Sequence, residues 1–479
     1  MKSCFTAAFL LLFYTAITAQ ELVSSTLLGV RTASELTSQF GLPMSFGAKF
    51  YRITYTTSDL QGMTDTVSGL VAVPDDPTRV YPRVVYQHGT AGSPLGVPSF
   101  NAAQGGEGSV GLLFAGLGYV ALLPDYLGLG VSDGFHPYVH AASEAWVAAD
   151  MLRALPAFNM QYNVYTNGQL FITGYSQGGH AAMALHREVE TSLQDEFTVT
   201  AAAHLSGPYS IGEVMRDLIL SDDIYYYPSY LPNTILSYQT VYGGLFNQMT
   251  DVFKEPYATA IGQFYTGATT LEQLNNQLIA LLTTNEGDSR PLRMLQPAIV
   301  TAVTTDPNHP FNVALRDNNV YAWAPEAPTR IFYCMADDQV PYLNSILARD
   351  SMLARGAADL VATDVDPTAD HGGCVVPALT YTVFFFAGYQ QIGTVTSTDT
   401  PQLRPLMIHP NPATADIILR DLPEGALLSI TDISGRVRIS AIVSGNIQQI
   451  DVSALEGGFY FVQCISGGVK WQAKLAVQR

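Results

Sequence analysis

The apolar residues of this chain do not keep one period from end to end, and the places where the period changes divide it. Up to about residue 205, short apolar runs alternate with stretches of small residues at helical spacing. The runs "RVVYQ" (83–87), "QLFIT" (169–173) and, much later, "RIFYCM" (330–335) have the length and composition of strands buried on both faces of a parallel sheet. Residues 179–188 ("GHAAMALHRE") read as an Ala-rich helix. From about 206 to 328 this rhythm lapses into Tyr-rich segments, followed by "LEQLNNQLIALLTTNE". There Leu271, Leu274, Leu278, Leu281 and Leu282 recur at helical spacing, which predicts an inserted helical layer. Residues 392–405 ("IGTVTSTDTPQLRP") are rich in Thr, Ser and Pro and read as a linker. Beyond them apolar and polar residues alternate with a turn every 8 to 12 residues or about that, the pattern of a small all-β sandwich. The predicted class is therefore α/β, with a mostly parallel central sheet, helices on both faces, a helical insertion and a C-terminal β-domain.

Composition narrows the possibilities. With 48% hydrophobic and 13% charged residues the chain is globular. Its 479 residues exceed one ordinary core. The formal charge of −18 argues against nucleic acid as a partner. Residues 401–479 hold seven Lys and Arg against six Asp and Glu, so nearly all of the acidity belongs to the larger segment before them. Lys2, an apolar run at 9–14 and small residues at 17–19 before Gln20 have the layout of a secretory signal peptide, residues 1–19. Cys4 leaves with it. Cys334, Cys374 and Cys464 remain, an odd number in an oxidising compartment, which permits one bridge and one free thiol.

The chemistry of the large segment turns on "GYSQGG", where Ser176 stands between Gly174 and Gly178. The serine falls between a predicted strand and a predicted helix, which suits a strained turn that exposes a nucleophile, although the same spelling can be a simple tight turn. A serine hydroxyl is a poor nucleophile at neutral pH, so it needs a base, an orienting acid and donors for the developing oxyanion. Downstream of the insertion, candidate acids are Asp337 and Asp338, just past the run at 330–335, and candidate bases are His371, in "TADHGGC", and His409, in the linker region. His371 is expected on a Gly-rich loop reaching toward Ser176. His136, His140 and Glu144 are spaced by fours and would share a helix face, but Pro137 interrupts it and the spacing is not that of zinc hydrolases.

"FYRITYTTSDLQGMTDTVSGLVAVP", "VVYQHGTAG", "VALLPDYLGLGVSDGFHPYVH" (with Asp125 and Gly128) and "GYSQGG" together resemble the secretory lipase family of the α/β-hydrolase superfamily, from about residue 48 to 387. The resemblance implies hydrolysis of carboxylic esters by acyl transfer through Ser176, with no metal and no organic cofactor. In the superfamily the order along the chain is Ser, acid, His, which gives His371 as base. The family spelling of Asp, two residues, then Val-Pro picks Asp337, because Val340 and Pro341 follow. The oxyanion hole is expected to combine the N–H of Gln177 with that of Thr90, after the strand at 83–87, and His88 is expected to brace that loop. The insertion is expected to cap Ser176, its tyrosines serving packing or lining an acyl or aryl pocket.

The tail resembles the C-terminal sorting domain read by the type IX secretion system. The resemblance rests on "HPNPATADIIL" (Pro410, Asn411, Pro412), "ITDISGRV" (Asp432, Ser434, Gly435) and "LEGGFYFVQCISGGVKWQAKLAVQR" (Gly458, Tyr460). It implies export through periplasm and outer membrane to the cell surface, with the secretion machinery as a partner. The expected layout is thus a signal peptide (1–19), a catalytic α/β-hydrolase domain (20–391, insertion about 206–328), a linker (392–405) and a sorting domain (406–479). Cys334 lies three residues before Asp337 and Cys374 three after His371, so a hydrogen bond between acid and base would bring these cysteines close enough for a disulfide, leaving Cys464 free. Alternatives to a lipase or small-ester esterase are a carbohydrate esterase for acetyl or feruloyl groups, a serine peptidase on the same fold, and a surface-anchored non-catalytic binding protein.

Overall fold

The computed structural model describes residues 21–396, 402–445, 447–466 and 469–479. The expected signal peptide, with Cys4, and residues 397–401 of the expected linker lie outside the described residues.

Among the described residues the large sheet has ten strands, of which nine lie on its main path: β1 (Leu22–Arg31), β2 (Ala48–Ser58), β3 (Thr64–Pro74), β4 (Arg79–Gln87), β5 (Val120–Pro124), β6 (Thr166–Tyr175), β7 (Val199–Leu205), β8 (Thr329–Tyr333) and β9 (Leu360–Asp364). Their order is β1-β2-β3-β5-β4-β6-β7-β8-β9, antiparallel from β1 to β5 and parallel from β5 onward. The central runs of the inner parallel strands, such as Val84–Tyr86 and Leu170–Ile172, are apolar and buried because both faces are covered. Alternation along them feeds two cores: Val84 and Phe171 point into one, Val85 and Ile172 into the other.

Helix α1 (Gly108–Gly116) covers the first face, and α2 (Ala141–Tyr162) with α3 (Gln177–Ser192) the second. Small residues let α3 lie close under the sheet: a Cβ at Gly179 would stand 2.6 Å from the Leu205 carbonyl oxygen. Between β7 and β8 the chain leaves the sheet for the insertion, which contains α4 (Tyr230–Tyr242), α5 (Leu271–Glu286) and α6 (Pro310–Asp317). The leucine spacing in α5 reports its buried face, with Leu271, Leu274, Leu278 and Leu282 in the insertion's own core. After β8 come α7 (Leu343–Ala354) and α8 (His371–Ala387), the latter returning to the face of α1. No helix among the described residues is long and apolar enough to cross a membrane.

The segment expected as a linker carries short strands at both ends. Gly393–Thr394 pairs antiparallel with Val80 and Arg79 of β4. Gln402–Pro405 runs parallel to the last strand, Val469–Val477. The tail folds into a five-stranded and a three-stranded sheet around one core that includes Ile417, Leu428, Ile430, Val462 and Leu475.

Candidate active site

The turn between β6 and α3 is built by its glycines. A Cβ at Gly174 would lie 2.1 Å from the Gly178 carbonyl oxygen, and one at Gly178 only 1.9 Å from that of Gln87. Only glycine fits either place. Ser176 between them has φ 60° and ψ −125°, a conformation that costs a non-glycine residue about 1–3 kcal/mol and is held by its surroundings. Its N–H donates to the Leu205 carbonyl at 3.0 Å, and its own carbonyl accepts from Gly179 at 2.8 Å. The hydroxyl is thereby lifted off the strand end at the positive end of α3.

His371 Nε2 lies 2.8 Å from Ser176 Oγ, and its Nδ1 lies 2.7 Å from Asp337 Oδ2. The other Asp337 oxygen accepts the N–H groups of Gln339 at 2.9 Å and Val340 at 2.8 Å, which fixes the carboxylate plane. Both aspartates touch the histidine: Asp338 Oδ1 accepts the His371 backbone N–H at 3.0 Å, so one carboxylate holds the ring and the other the main chain. The expected loop position of His371 is corrected. It is the first residue of α8, because Asp370 caps the helix by accepting the Gly373 N–H at 2.7 Å, and Gly372 and Gly373 are helical. The Tyr175 hydroxyl donates to the His371 carbonyl. Behind the pair, the sulfurs of Cys334 and Cys374 are bonded, with Cα atoms 5.9 Å apart, and Cys464 is a buried free thiol in the tail.

The loop after β4 carries Thr90. Among the described residues neither the Thr90 nor the Gln177 backbone N–H has a protein acceptor, which leaves both free for a ligand oxygen. Thr90 Oγ1 lies 3.0 Å from the Tyr138 hydroxyl. His88 braces the loop, with Nδ1 2.7 Å from the Gly89 carbonyl and its ring stacked 4.3 Å from that of Tyr126. Asp125, from the family-like motif, is fully buried and takes hydrogen bonds from Ser68, at 2.6 Å, and from Ser99; burial raises its pKa and these bonds oppose the rise.

The Gln177 side chain is tethered too. Its amide donates to Glu144 Oε1 at 2.9 Å and meets His136 Nε2 at 2.9 Å. Glu144 Oε2 lies 2.7 Å from His180 Nδ1, while His180 Nε2 faces the Asn318 carbonyl of the insertion at 2.8 Å. His136, His140 and Glu144 do not share a helix face as their spacing suggested. His136 precedes the helix in an irregular turn and His140 is the N-cap of α2. The His136 nitrogens are engaged by Leu127 and Gln177, and burial pushes its pKa down to about 3, so it is a neutral hydrogen-bonding group.

Ser176 opens into a cleft of about 120 Å³, lined by Tyr138, Met215, Tyr225, Tyr230, Leu295 and Val340 among other mostly apolar side chains. The insertion supplies most of this lining. Two of its tyrosines also clasp the acid loop: Tyr225 donates to the Gln339 carbonyl at 3.0 Å and Tyr230 to Gln339 Oε1 at 2.9 Å. Sequence reasoning weighed these tyrosines only as packing or lining, and it missed Glu107, which accepts the Gly89 N–H.

A ligand-bound form of the rice cell wall degrading esterase LipA from Xanthomonas oryzae superposes with a TM-score of 0.68 at 26% identity, covering 77% of this chain and 98% of that one. The large domain has the α/β-hydrolase fold. Lipase A of Candida antarctica shares the same hydrolase fold at 17% identity, with a TM-score of 0.57 over 78% of this chain and 83% of that one. Comparison with curated proteins gave no match. Residues 407–478 match the family of secretion system C-terminal sorting domains, so the hydrolase is addressed for export to the cell surface or beyond.

Proposed function

We propose that this exported α/β hydrolase cleaves carboxylic esters through an acyl-enzyme on Ser176. The observation that carries the reading is the unbroken hydrogen-bond chain from Ser176 Oγ through His371 to Asp337. In the proposed cycle His371 Nε2 takes the hydroxyl proton as Oγ attacks the ester carbonyl, and Asp337 holds the ring and stabilises the imidazolium that forms. The carbonyl oxygen becomes an oxyanion, for which the N–H groups of Gln177 and Thr90 are the donors. The same proton then goes from His371 to the departing alkoxide, leaving the acyl group on Ser176. Water, deprotonated by His371, repeats the addition and releases the acid.

The largely apolar cleft supports an acyl chain or aryl group over a short polar acid. A second reading, an ester of cell-wall polysaccharide, is favoured by the similarity to the Xanthomonas oryzae esterase. In either case residues 1–19 are read as an export signal that is removed, and residues 392–405 as the linker between hydrolase and sorting domain. Hydrolysis of p-nitrophenyl esters from acetate to palmitate separates the readings. A rate that rises through medium chains supports a lipid-type acyl substrate, and activity confined to acetate supports the polysaccharide ester. No turnover of any ester, or turnover unchanged in Ser176→Ala, refutes the proposal.

A further inference from the structure

The peptide between Gly89 and Thr90 carries the N–H expected to meet the oxyanion, and its orientation decides whether that donor faces the cleft. A trans peptide points its carbonyl and its N–H in opposite directions. The Gly89 carbonyl is turned toward Nδ1 of the buried His88 at 2.7 Å, so the Thr90 N–H is aimed away from that ring. The preceding peptide is gripped from another element. The Gly89 N–H donates to both oxygens of Glu107, each at 2.9 Å, and Glu107 Oε2 also accepts the Tyr86 hydroxyl at 2.9 Å. A Cβ at Gly89 would stand 2.9 Å from Glu107 Oε1 and 3.4 Å from the Tyr175 carbonyl oxygen, so the loop is wedged between Glu107 and the end of β6. His88 is fixed in turn, since the Tyr126 hydroxyl donates to its carbonyl at 3.0 Å.

We infer that Glu107, with His88, is a positioning residue that sets the peptide orientation of the oxyanion loop, an inference that rests on the proposed roles of Ser176 and Thr90. A glycine peptide has little intrinsic resistance to rotation. Two carboxylate oxygens on the Gly89 N–H and the His88 ring at the Gly89 carbonyl remove that freedom before substrate arrives, and donors aligned in advance need no reorganisation as charge develops. Glu107 touches no reacting atom; it acts through the Gly89 N–H.

The test uses Glu107→Ala, Glu107→Gln and Ser176→Ala, with hydrolysis of a p-nitrophenyl ester and binding of a trifluoromethyl ketone, whose hemiketal on the serine places an oxyanion in the hole. Loss of one oxyanion donor costs about 100–1,000-fold in kcat, so a donor left aligned part of the time predicts a fall of about 10–100-fold in Glu107→Ala. KM should stay within about threefold, and ketone affinity should fall in step with kcat. Glu107→Gln should restore most of the rate, because its amide oxygen still accepts the Gly89 N–H. Wild-type kcat in Glu107→Ala overturns the inference, as does a fall in rate with ketone affinity unchanged in the folded enzyme. If Glu107→Ala does not fold, Tyr86→Phe removes one bond to the carboxylate, and an unchanged rate and ketone affinity there overturn it too. An active Ser176→Ala refutes the esterase reading itself, whereas an inactive Ser176→Ala beside an unimpaired Glu107→Ala refutes the positioning role alone.

Discussion

Replacing Cys334 and Cys374 together by alanine removes the bond that ties the end of β8 to the first turn of α8. The two residues are 40 apart in sequence, and closing a loop of that length lowers the entropy of the unfolded chain by an amount worth about 4 kcal/mol at 25 °C. Both side chains are fully buried, and the change also removes the contact of Cys374 Sγ with the buried Ser206 hydroxyl at 3.7 Å, so the loss should not fall below this entropic figure. With an unfolding entropy of about 2 cal/mol/K per residue over a domain of roughly 370 residues, the expected drop in thermal midpoint is about 5 °C. Activity should suffer less than stability. Asp337 keeps its bonds from Gln339 and Val340, and His371 keeps those to Asp338 and Tyr175, so kcat at 25 °C should fall by less than about tenfold. The assay is a circular-dichroism melt of both proteins, with alkylation of denatured protein before and after reduction. A double variant melting within about 1 °C of the parent refutes the reasoning, and so does alkylation of both cysteines without reductant.

The two aspartates should separate cleanly: Asp337→Asn puts a neutral amide against the His371 ring, which favours the wrong tautomer and no longer stabilises the imidazolium, and should cost about 10⁴ in kcat, while Asp338→Asn, whose amide oxygen still accepts a backbone N–H, should stay within about tenfold. Steady-state kinetics on one ester compares them. Gly178→Ala places a methyl group 1.9 Å from a backbone oxygen and should destabilise by more than about 4 kcal/mol or yield no soluble enzyme, read by denaturant melts. A chain ending at residue 396, which keeps the strand paired with β4, should hydrolyse esters within about twofold of full length yet fail to reach the cell surface in the native host, read by activity and surface fractionation.

What the sequence revealed of this site followed from chain-local rules. The glycines around Ser176 mark a turn that no other residue fits, and the order of Ser, acid and His in the family that the chain resembles points to His371 as the candidate base. The reading failed where tertiary contacts overrode local signals. Gly372 and Gly373 look like loop, but one cap from Asp370 and the bond from Asp338 make them helix. The fours spacing of His136, His140 and Glu144 suggested one helix face, yet the helix begins only at Ala141, and Glu144 instead anchors Gln177 and His180. Glu107 carried no signal at all. It sits among glycines, 18 residues from the peptide it holds, and only folding brings the two together. The insertion's leucines were readable by period; that Tyr225 and Tyr230 reach the acid loop was not, because a hydroxyl's partner is not encoded in spacing.

The central claim is that Ser176 is the nucleophile and His371 activates it, and a fluorophosphonate bearing a short alkyl chain tests this directly. Reaction with the full-length enzyme followed by intact-mass analysis and peptide mapping should give one adduct per chain, on the peptide containing Ser176, and His371→Ala should slow labelling by about 100-fold or more. Labelling at any other serine, or an undiminished rate in His371→Ala, would contradict the account.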